Sequence, residues 1–509
     1  MTREQSRFLQ IAAMIVLILI TILLLESALT LLLNPISLQR LFTFESGDAF
    51  FFASGLNRNF NQLLALVFTT VSIAIPLTAN MYSVKFLELF ITDELNLLML
   101  SLIAFGGLNN TWMMHNLKDG YVPYFHLYLS LGLYMICVCL LIPYLYYIFR
   151  FLDPNTLLRR LEREIMADLA SAQRKPSQAA ARAREVAQSV EHIASVGLRS
   201  VDRMDRATAI ESVNTLRRVL QAYWEVKDKM PMPWFNEGAG CFHGFAEEMM
   251  EDLRTNHTWM EMKVLSQFRS LLSVSVSKMH DLVNAIASAT STLGLAQEVR
   301  RERHSEELVM EYFNTFIRLA LTRRDTRSVY SLFYQYRRYA EGLLQEDGDL
   351  ALEIAYYFQY YAQAAREMGL LFVVETAAYD MGMLVQIAWE REAAIRSKLL
   401  KRFLAFDSGM GSQPLLGVKK AQSILAGFFL LHGLPEQTEQ IRHQMQDISP
   451  RMIGTLRDDL IHVTREKFWE ITERRVSMDY VVPPQRQRVA EFLDSLDSSL
   501  PLATPLEDR

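Results

Sequence analysis

Five side chains raise the first chemical question. Thr69, Ser72, Pro76, Asn80 and Ser83 stand three or four residues apart in TTVSIAIPLTANMYSVKFLELF, Thr69 to Phe90. On one continuous helix they share a face, with an aliphatic face opposite. Pro76 has no N–H to give the carbonyl of Ser72, which frees an acceptor and predicts a kink near mid-membrane. Hydroxyl and amide groups at hydrocarbon depth cannot be left against lipid. Either they hydrogen-bond within and between helices, at about 0.6 kcal/mol per contact, or they line an aqueous pathway inside one bundle or around an axis between subunits. The spacing leaves both readings open.

Glu26 sharpens the question. It lies four residues past the middle of an apolar run, about 6 Å from the membrane centre at 1.5 Å per residue. A carboxyl at that depth costs about 2.5 to 3.5 kcal/mol, so it must face the interior, be protonated or be paired. Its expected partners lie at matching depth: Asn109 and Asn110 at the end of the third apolar run, His126 at the start of the fourth, and Thr69. The plainer alternatives are a structural hydrogen bond across helices, or a first helix that slides until Glu26 reaches the interface.

Reactive constellations are scarce elsewhere. Asp459, His462, Glu466 and Glu470 fall at i, i+3, i+7 and i+11 on one expected helix, where they could ligate a metal or form a solvated charged face. The second is the expectation. GMG (Gly409 to Gly411) lacks the further glycines and the lysine of a phosphate loop, and neither GxSxG nor HExxH occurs. CFH, Cys241 to His243, has no second ligand pair at zinc spacing. No catalytic residue, metal or cofactor is expected, and no enzyme.

The elements that must hold these residues are all helical. Four spans are expected, Ile11 to Leu33, Leu63 to Ala79, Leu95 to Met114 and Tyr121 to Ile148, each reaching the roughly 17 to 25 residues that cross hydrocarbon. Arg3 and Arg7 precede the first, and Arg150, Arg159, Arg160 and Arg163 follow the last, which places both termini in the cytoplasm. Between the second and third spans, Ser83 to Leu95 reads as an interfacial helix. Asp153 before Pro154 starts a charged amphipathic region that continues to the end. Breaks fall at RKPS, MPMPWFNEGAG, EDGD, DSGMGSQP, HGLPE and VVPPQ. Between Glu306 and Phe406, apolar positions recur at helical spacing in segments of about 20 residues, as in stacked helix hairpins. The final SLDSSLPLATPLEDR reads as disordered. The expected organisation is therefore all-α: a four-span transmembrane bundle over 1–152, a membrane-proximal helical domain over 153–300, a helical-hairpin region over 301–406, and a C-terminal helical region with a disordered tail over 407–509.

A net charge of −5, from 52 basic and 57 acidic side chains, points to no nucleic-acid partner. Three cysteines cannot frame disulfides in 509 residues; Cys137 and Cys139 read as small membrane hydrophobes.

The same residues carry a resemblance. Thr69 to Gly106 resembles the second-helix, turn and third-helix segment of an uncharacterised bacterial membrane-protein family, the domain-of-unknown-function 2254 group. LTANMYSVKFL, Leu77 to Leu87, stands where that family has LASSQFSPRLL, so Ser83 and Leu87 agree. IASVGLRSVDRMDRATAIESVNTLRRVL, Ile193 to Leu220, is similar to the family's IALRALSPGINDPFTA, with Leu198, Ser200, Asp205, Thr208 and Ala209 in register. The resemblance covers residues 1 to about 230 and implies a bacterial inner-membrane protein with four spans and a cytosolic helical domain; it implies no activity. The expectation is a homo-oligomeric channel or ion-conducting, transport-type protein in the lipid bilayer with a cytosolic helical sensor. The alternative is a membrane-anchored scaffold that binds a cytosolic protein partner through its helical repeats.

Overall fold

The structure is a computed structural model. It describes residues 46–81, 93–117, 122–151, 153–242, 244, 246–296, 303–406, 414–467 and 474–496, the side chains of 46, 74–81 and 151 excepted. The described chain is all-α, with one isolated antiparallel bridge between Lys467 and Val476. It divides into two compact units, Met1–Arg160 and Leu161–Arg509.

In the first unit, α1 (Ser46–Met81), α2 (Glu94–Asn116) and α3 (Tyr124–Phe151) pack on one another. Asp93 caps α2, accepting from the amides of Leu95 and Asn96, and its second oxygen lies 3.5 Å from the Arg160 guanidinium. Leu95 thus belongs to the helix of the third expected span; residues 82–92, the bulk of the expected interfacial helix, lie outside the described residues. Pro143 sits inside α3 and leaves the carbonyl of Cys139 without its helical donor. Small residues set the seam. The buried Phe60 ring occupies the space over Gly106, where a Cβ would stand 2.3 Å from ring carbon Cε1, and Phe60 meets Tyr134 edge-on with centroids 5.8 Å apart. Ala53, Met113 and Leu127 close a second buried cluster. The outer faces carry Phe51, Leu108, Trp112, Phe125, Ile142 and Phe149, with Phe51 79% exposed. Apolar exposure on this scale is what lipid, not water, accommodates.

Three helices among the described residues are long and apolar enough to span a membrane, not the expected four. Glu94–Asn116 and Tyr124–Arg150 are the expected third and fourth spans. The remaining one, Leu371–Glu390, is 61% buried in its apolar window, so its length and composition serve packing inside the second unit. Ile11 to Leu33 lies outside the described residues. Leu63 to Ala79 falls within α1, whose 36 residues make a rod of about 54 Å, longer than the roughly 30 Å of hydrocarbon.

The second unit begins within α4 (Pro154–Arg174), which starts at Pro154 as expected, with Asp153 accepting from the Asn155 amide and the Thr156 hydroxyl. There follow α5 (Ala179–Asp202), α6 (Arg206–Trp224), α7 (Met232–Ala239), α8 (Glu247–Thr255), α9 (Trp259–Ser275), α10 (His280–Gly294), α11 (Arg303–Thr322), α12 (Thr326–Leu343), α13 (Gly348–Glu367), α14 (Leu371–Glu390), α15 (Arg396–Leu404), α16 (Leu416–Leu431), α17 (Pro435–Gln444), α18 (Pro450–Ile461) and α19 (Pro483–Leu496). They form two rows. One runs α6, α10, α12, α14, α16, α19, each packed on the next; the other runs α5, α9, α11, α13, α15, α17. α5 packs on α6, α9 on α10, α11 on α12, α13 on α14 and α16 on α17, each pair joined by a short turn, so these helices form a stack of hairpins.

The turns show why the stack repeats. Met204, Arg324, Gly369, Glu392 and Gly433 all take positive φ directly after a helix. In each case the next amide reaches back to close the helix end: Asp205 to Ser200, Asp325 to Ala320, Leu370 to Ala365, Ala393 to Ala388 and Leu434 to Phe429. Asp205 and Asp325 then cap the following helices, accepting from Thr208 and Ser328. The intra-hairpin turns at Ser277, Arg324 and Gly369 recur at an interval of about 46 residues, the length of a two-helix repeat. Neighbouring turns are tied together, since Arg324 donates to the Met368 carbonyl at 2.8 Å and Arg391 to the Glu341 carbonyl at 2.8 Å.

Candidate functional site

The first unit brings together part of the expected polar set. Asn109 on α2 donates to Ser130 Oγ at 2.8 Å and to the His126 carbonyl at 3.3 Å, and its Oδ1 lies 2.9 Å from His126 Nδ1. Ser130, fully buried, was not singled out from the sequence, because a lone serine inside an apolar run has no spacing signal. Asn110 does not join them. One residue further round α2 it turns to α1, where its Nδ2 donates to the Ala53 carbonyl at 3.0 Å. Its buried Oδ1 has no hydrogen-bond partner among the described residues. Glu26 and Ser83 lie outside the described residues, and Pro76 and Asn80 fall in the part of α1 whose side chains are not described.

Thr69 and Ser72 are exposed, while the buried positions of α1 are Ala49, Ala53, Leu56, Phe60 and Val67. The two hydroxyls thus face away from α2 and α3, beside exposed Phe68 and Ile73. Thr70 bonds the Leu66 carbonyl of its own helix at 2.9 Å. The seam between the three helices is filled by rings and methyl groups rather than by the hydroxyl face.

The second unit gathers charge at several places; near α9 the buried Lys227 meets the buried Glu261 at 2.8 Å, and two further clusters involve α12, α14 and α16. Asp380 on α14, fully buried, accepts from Arg337 of α12 at 3.0 Å and from Arg474 at 2.7 Å; Arg337 also pairs with Glu341. Burial opposes the Arg474 charge, and Asp380 outweighs it, so the guanidinium pKa rises. Nearby, Lys420 of α16 meets Asp459 at 3.0 Å, Asp479 at 3.1 Å and Glu375 at 3.5 Å. Burial pushes the Glu375 carboxyl up despite the lysine.

The expected helical face of Asp459, His462, Glu466 and Glu470 is not formed. α18 ends at Ile461, so the period that aligned these residues stops just before the second of them, His462. Asp459 is spent on Lys420, His462 is exposed beside Asp458, and Glu470 lies outside the described residues. The Cys241 thiol, whose pKa burial raises, donates to the Glu237 carbonyl; this suits packing rather than reactivity.

In the row that runs from α5 to α17, α13 presents a run of tyrosines, Tyr356, Tyr357, Tyr360 and Tyr361, and Tyr336 on α12 lies close to them. Tyr361 and Tyr336 are tied to Asn314, whereas Tyr356 and Tyr360 stand 45% and 48% exposed, with the Arg402 guanidinium 5.5 Å from the Tyr356 ring. Glu353 and Glu311 lie close enough to push the Tyr357 pKa up, after burial.

No curated protein matches the chain. A solved structure, the circular tandem repeat protein with novel repeat topology and enhanced subunit contact surfaces, aligns with 88% of this chain and 96% of its own at 14% identity and a TM-score of 0.25. The first likeness seen in the sequence, Thr69 to Gly106, lies wholly inside the family match, and the second overlaps its end. Residues 7–205, the N-terminal part of the chain, match the family described as Predicted membrane protein (DUF2254).

Proposed function

We propose that this integral membrane protein is an anchored docking platform, whose hairpin stack binds a protein partner. The supporting observation is the double row from α5 to α19, which offers an extended surface built from neighbour-to-neighbour contacts and presents Tyr356, Tyr360 and Arg402 on α13 and α15. Exposed aromatic and arginine side chains are the residue types that dominate binding energy at protein interfaces. In this reading the membrane is the bacterial inner membrane and both termini are cytoplasmic, on the charge bias of Arg3, Arg7, Arg150 and Arg159. No enzymatic step is assigned. The test is affinity capture from detergent-solubilised membranes: a discrete partner that survives Glu26→Gln but is lost with Tyr356→Ala and Tyr360→Ala supports the platform, and retention through both tyrosine changes refutes this face.

The second reading, a homo-oligomeric channel, is favoured by one observation: Thr69 and Ser72 are left outside the α1–α2–α3 seam. Phe60 fills that seam, so conduction runs between copies around a shared axis. Purified protein that passes no current in planar bilayers at any voltage, tension or pH refutes it.

A further inference from the structure

One end of the hairpin stack carries a run of linked turns. Arg206, at the start of α6, pairs with Asp281, at the start of α10, at 3.2 Å. The Ser277 amide, just before α10, donates to Asp325, just before α12, at 2.7 Å, and Arg324 bonds the Met368 carbonyl just before α14. The turns at Met204, Ser277, Arg324 and Gly369 therefore stand side by side. α16 starts at the same end, since Gly417 in its first turn lies against Glu375 in the second turn of α14.

Large apolar side chains are left open along this end: Met204 is 52% exposed, Leu371 59% and Phe372 45%. Between them in the run of turns, Lys278, Arg323, Arg324 and Arg327 are exposed and make no ion pair among the described residues. Of the carboxylates at these turns, Asp205 and Asp325 are committed to helix caps and Asp281 to Arg206, which leaves Asp202 and Glu367. Unopposed cations beside open apolar tips are what the boundary between phosphates and acyl chains accommodates.

The chain enters the unit on the side of these turns. Arg218 of α6 holds Glu162 of α4 at 2.7 Å, and Gln173, further along α4, donates to the Val226 carbonyl beyond the end of α6 at 3.4 Å. α4 therefore runs with α6, away from the turns. Arg206 lies twelve residues before Arg218, about 18 Å along α6. Leu161, where the unit begins, follows the last residue of α3, Phe151, by ten residues, about 15 Å at helical rise. The bilayer that holds α3 is thus within reach of the turns.

We propose that the turn end of the stack docks on the anionic surface of the bilayer that anchors the chain, with Leu371 and Phe372 at the acyl boundary and Lys278, Arg323, Arg324 and Arg327 among the phosphates. The inference goes beyond the docking platform and stands whether or not a protein binds α13. Each cation held at such a surface strengthens the contact about fivefold, and the short tether keeps the surface at high effective concentration.

The test uses the full-length protein in nanodiscs of phosphatidylcholine, with or without phosphatidylglycerol. A fluorescent amino acid replaces Leu371 or, as the control, Leu431, which is 39% exposed at the other end of α16. Lipids brominated on their acyl chains quench position 371 when phosphatidylglycerol is present and leave position 431 bright. Lys278→Ala and Arg327→Ala each move the ratio of docked to free stack about fivefold toward the free state, and added salt moves it the same way. The unaltered protein supplies a second measurement: the Gly369 amide, which donates to the Arg366 carbonyl at 2.8 Å, exchanges its hydrogen more slowly in the anionic discs. Equal quenching at the two positions, quenching indifferent to phosphatidylglycerol, or Gly369 exchange at one rate in both discs overturns the proposal; the exchange result decides it even where a variant does not fold. A photo-crosslinking amino acid at position 371 that captures a protein and no lipid in intact membranes overturns it as well, by giving this end to an acidic protein surface.

Discussion

Gly106→Ala is the sharpest test of the membrane unit. A Cβ at Gly106 would lie 2.3 Å from Phe60 Cε1 and 2.6 Å from Cζ, so the ring must retreat by about 1 Å to reach ordinary contact. It has little room, being buried and backed by Tyr134. Overpacking of this kind costs about 1–3 kcal/mol, which raises the population of the opened unit roughly 5- to 150-fold. Two internal reporters are available, for Cys137 and Cys139 are buried in α3. In a Cys241→Ser background, maleimide labelling of these thiols in micelles should accelerate by that factor in Gly106→Ala. Adding Phe60→Leu should slow labelling again, because the smaller side chain vacates the space, giving a coupling of about 1 kcal/mol or more. Labelling of Gly106→Ala at the wild-type rate, or two changes whose effects simply multiply, would show that Phe60 does not sit over Gly106.

Other expectations follow from single contacts. Asn110→Leu loses the bond to Ala53 but also removes a buried carbonyl that has no partner among the described residues, so micellar stability should move by less than about 1 kcal/mol; Asn109→Leu, which strips three contacts from α3, should cost more in the same assay. Gly369→Ala forces a Cβ into the left-handed region at φ 74 and should cost about 1–2 kcal/mol, seen as faster exchange of the Leu370 amide. Asp325 accepts from the Ser328 and Ser277 amides, and these bonds outweigh burial to hold its pKa below the usual carboxylate value. A carboxyl depressed in the folded state stabilises above its unfolded pKa of about 3.9 and loses that contribution as pH falls through the folded value. Asp325→Ala should therefore be less stable at neutral pH, with the gap from wild type shrinking in melts taken below about pH 4.

The extent to which the fold was legible follows from the range of each signal. α2 and α3 emerged within a few residues because a continuous apolar run is local information. Asn109 and His126 were matched by depth, and they do meet; Asn110 was grouped with them by the same argument, yet one step of about 100° carries it to a different neighbour. The hairpins between 306 and 406 were visible as helical periods, while their shared turns were hidden, since Met204, Arg324 and Glu392 adopt a conformation that glycine usually marks. Asp459 to Glu470 failed because spacing defines a face only while the helix continues. Arg474 and Asp380 are 94 positions apart, and no pattern along the chain connects them.

The central claim is that the hairpin stack, through α13, meets a protein. A photo-crosslinking amino acid placed at Tyr360 in intact membranes tests it most directly, with Trp112 on the outer face of α2 as the control position. Position 360 should give one discrete protein adduct that disappears with Tyr356→Ala, and position 112 should give lipid but no such adduct. An empty position 360, together with a bilayer current from the purified protein that Thr69→Leu abolishes, would contradict it.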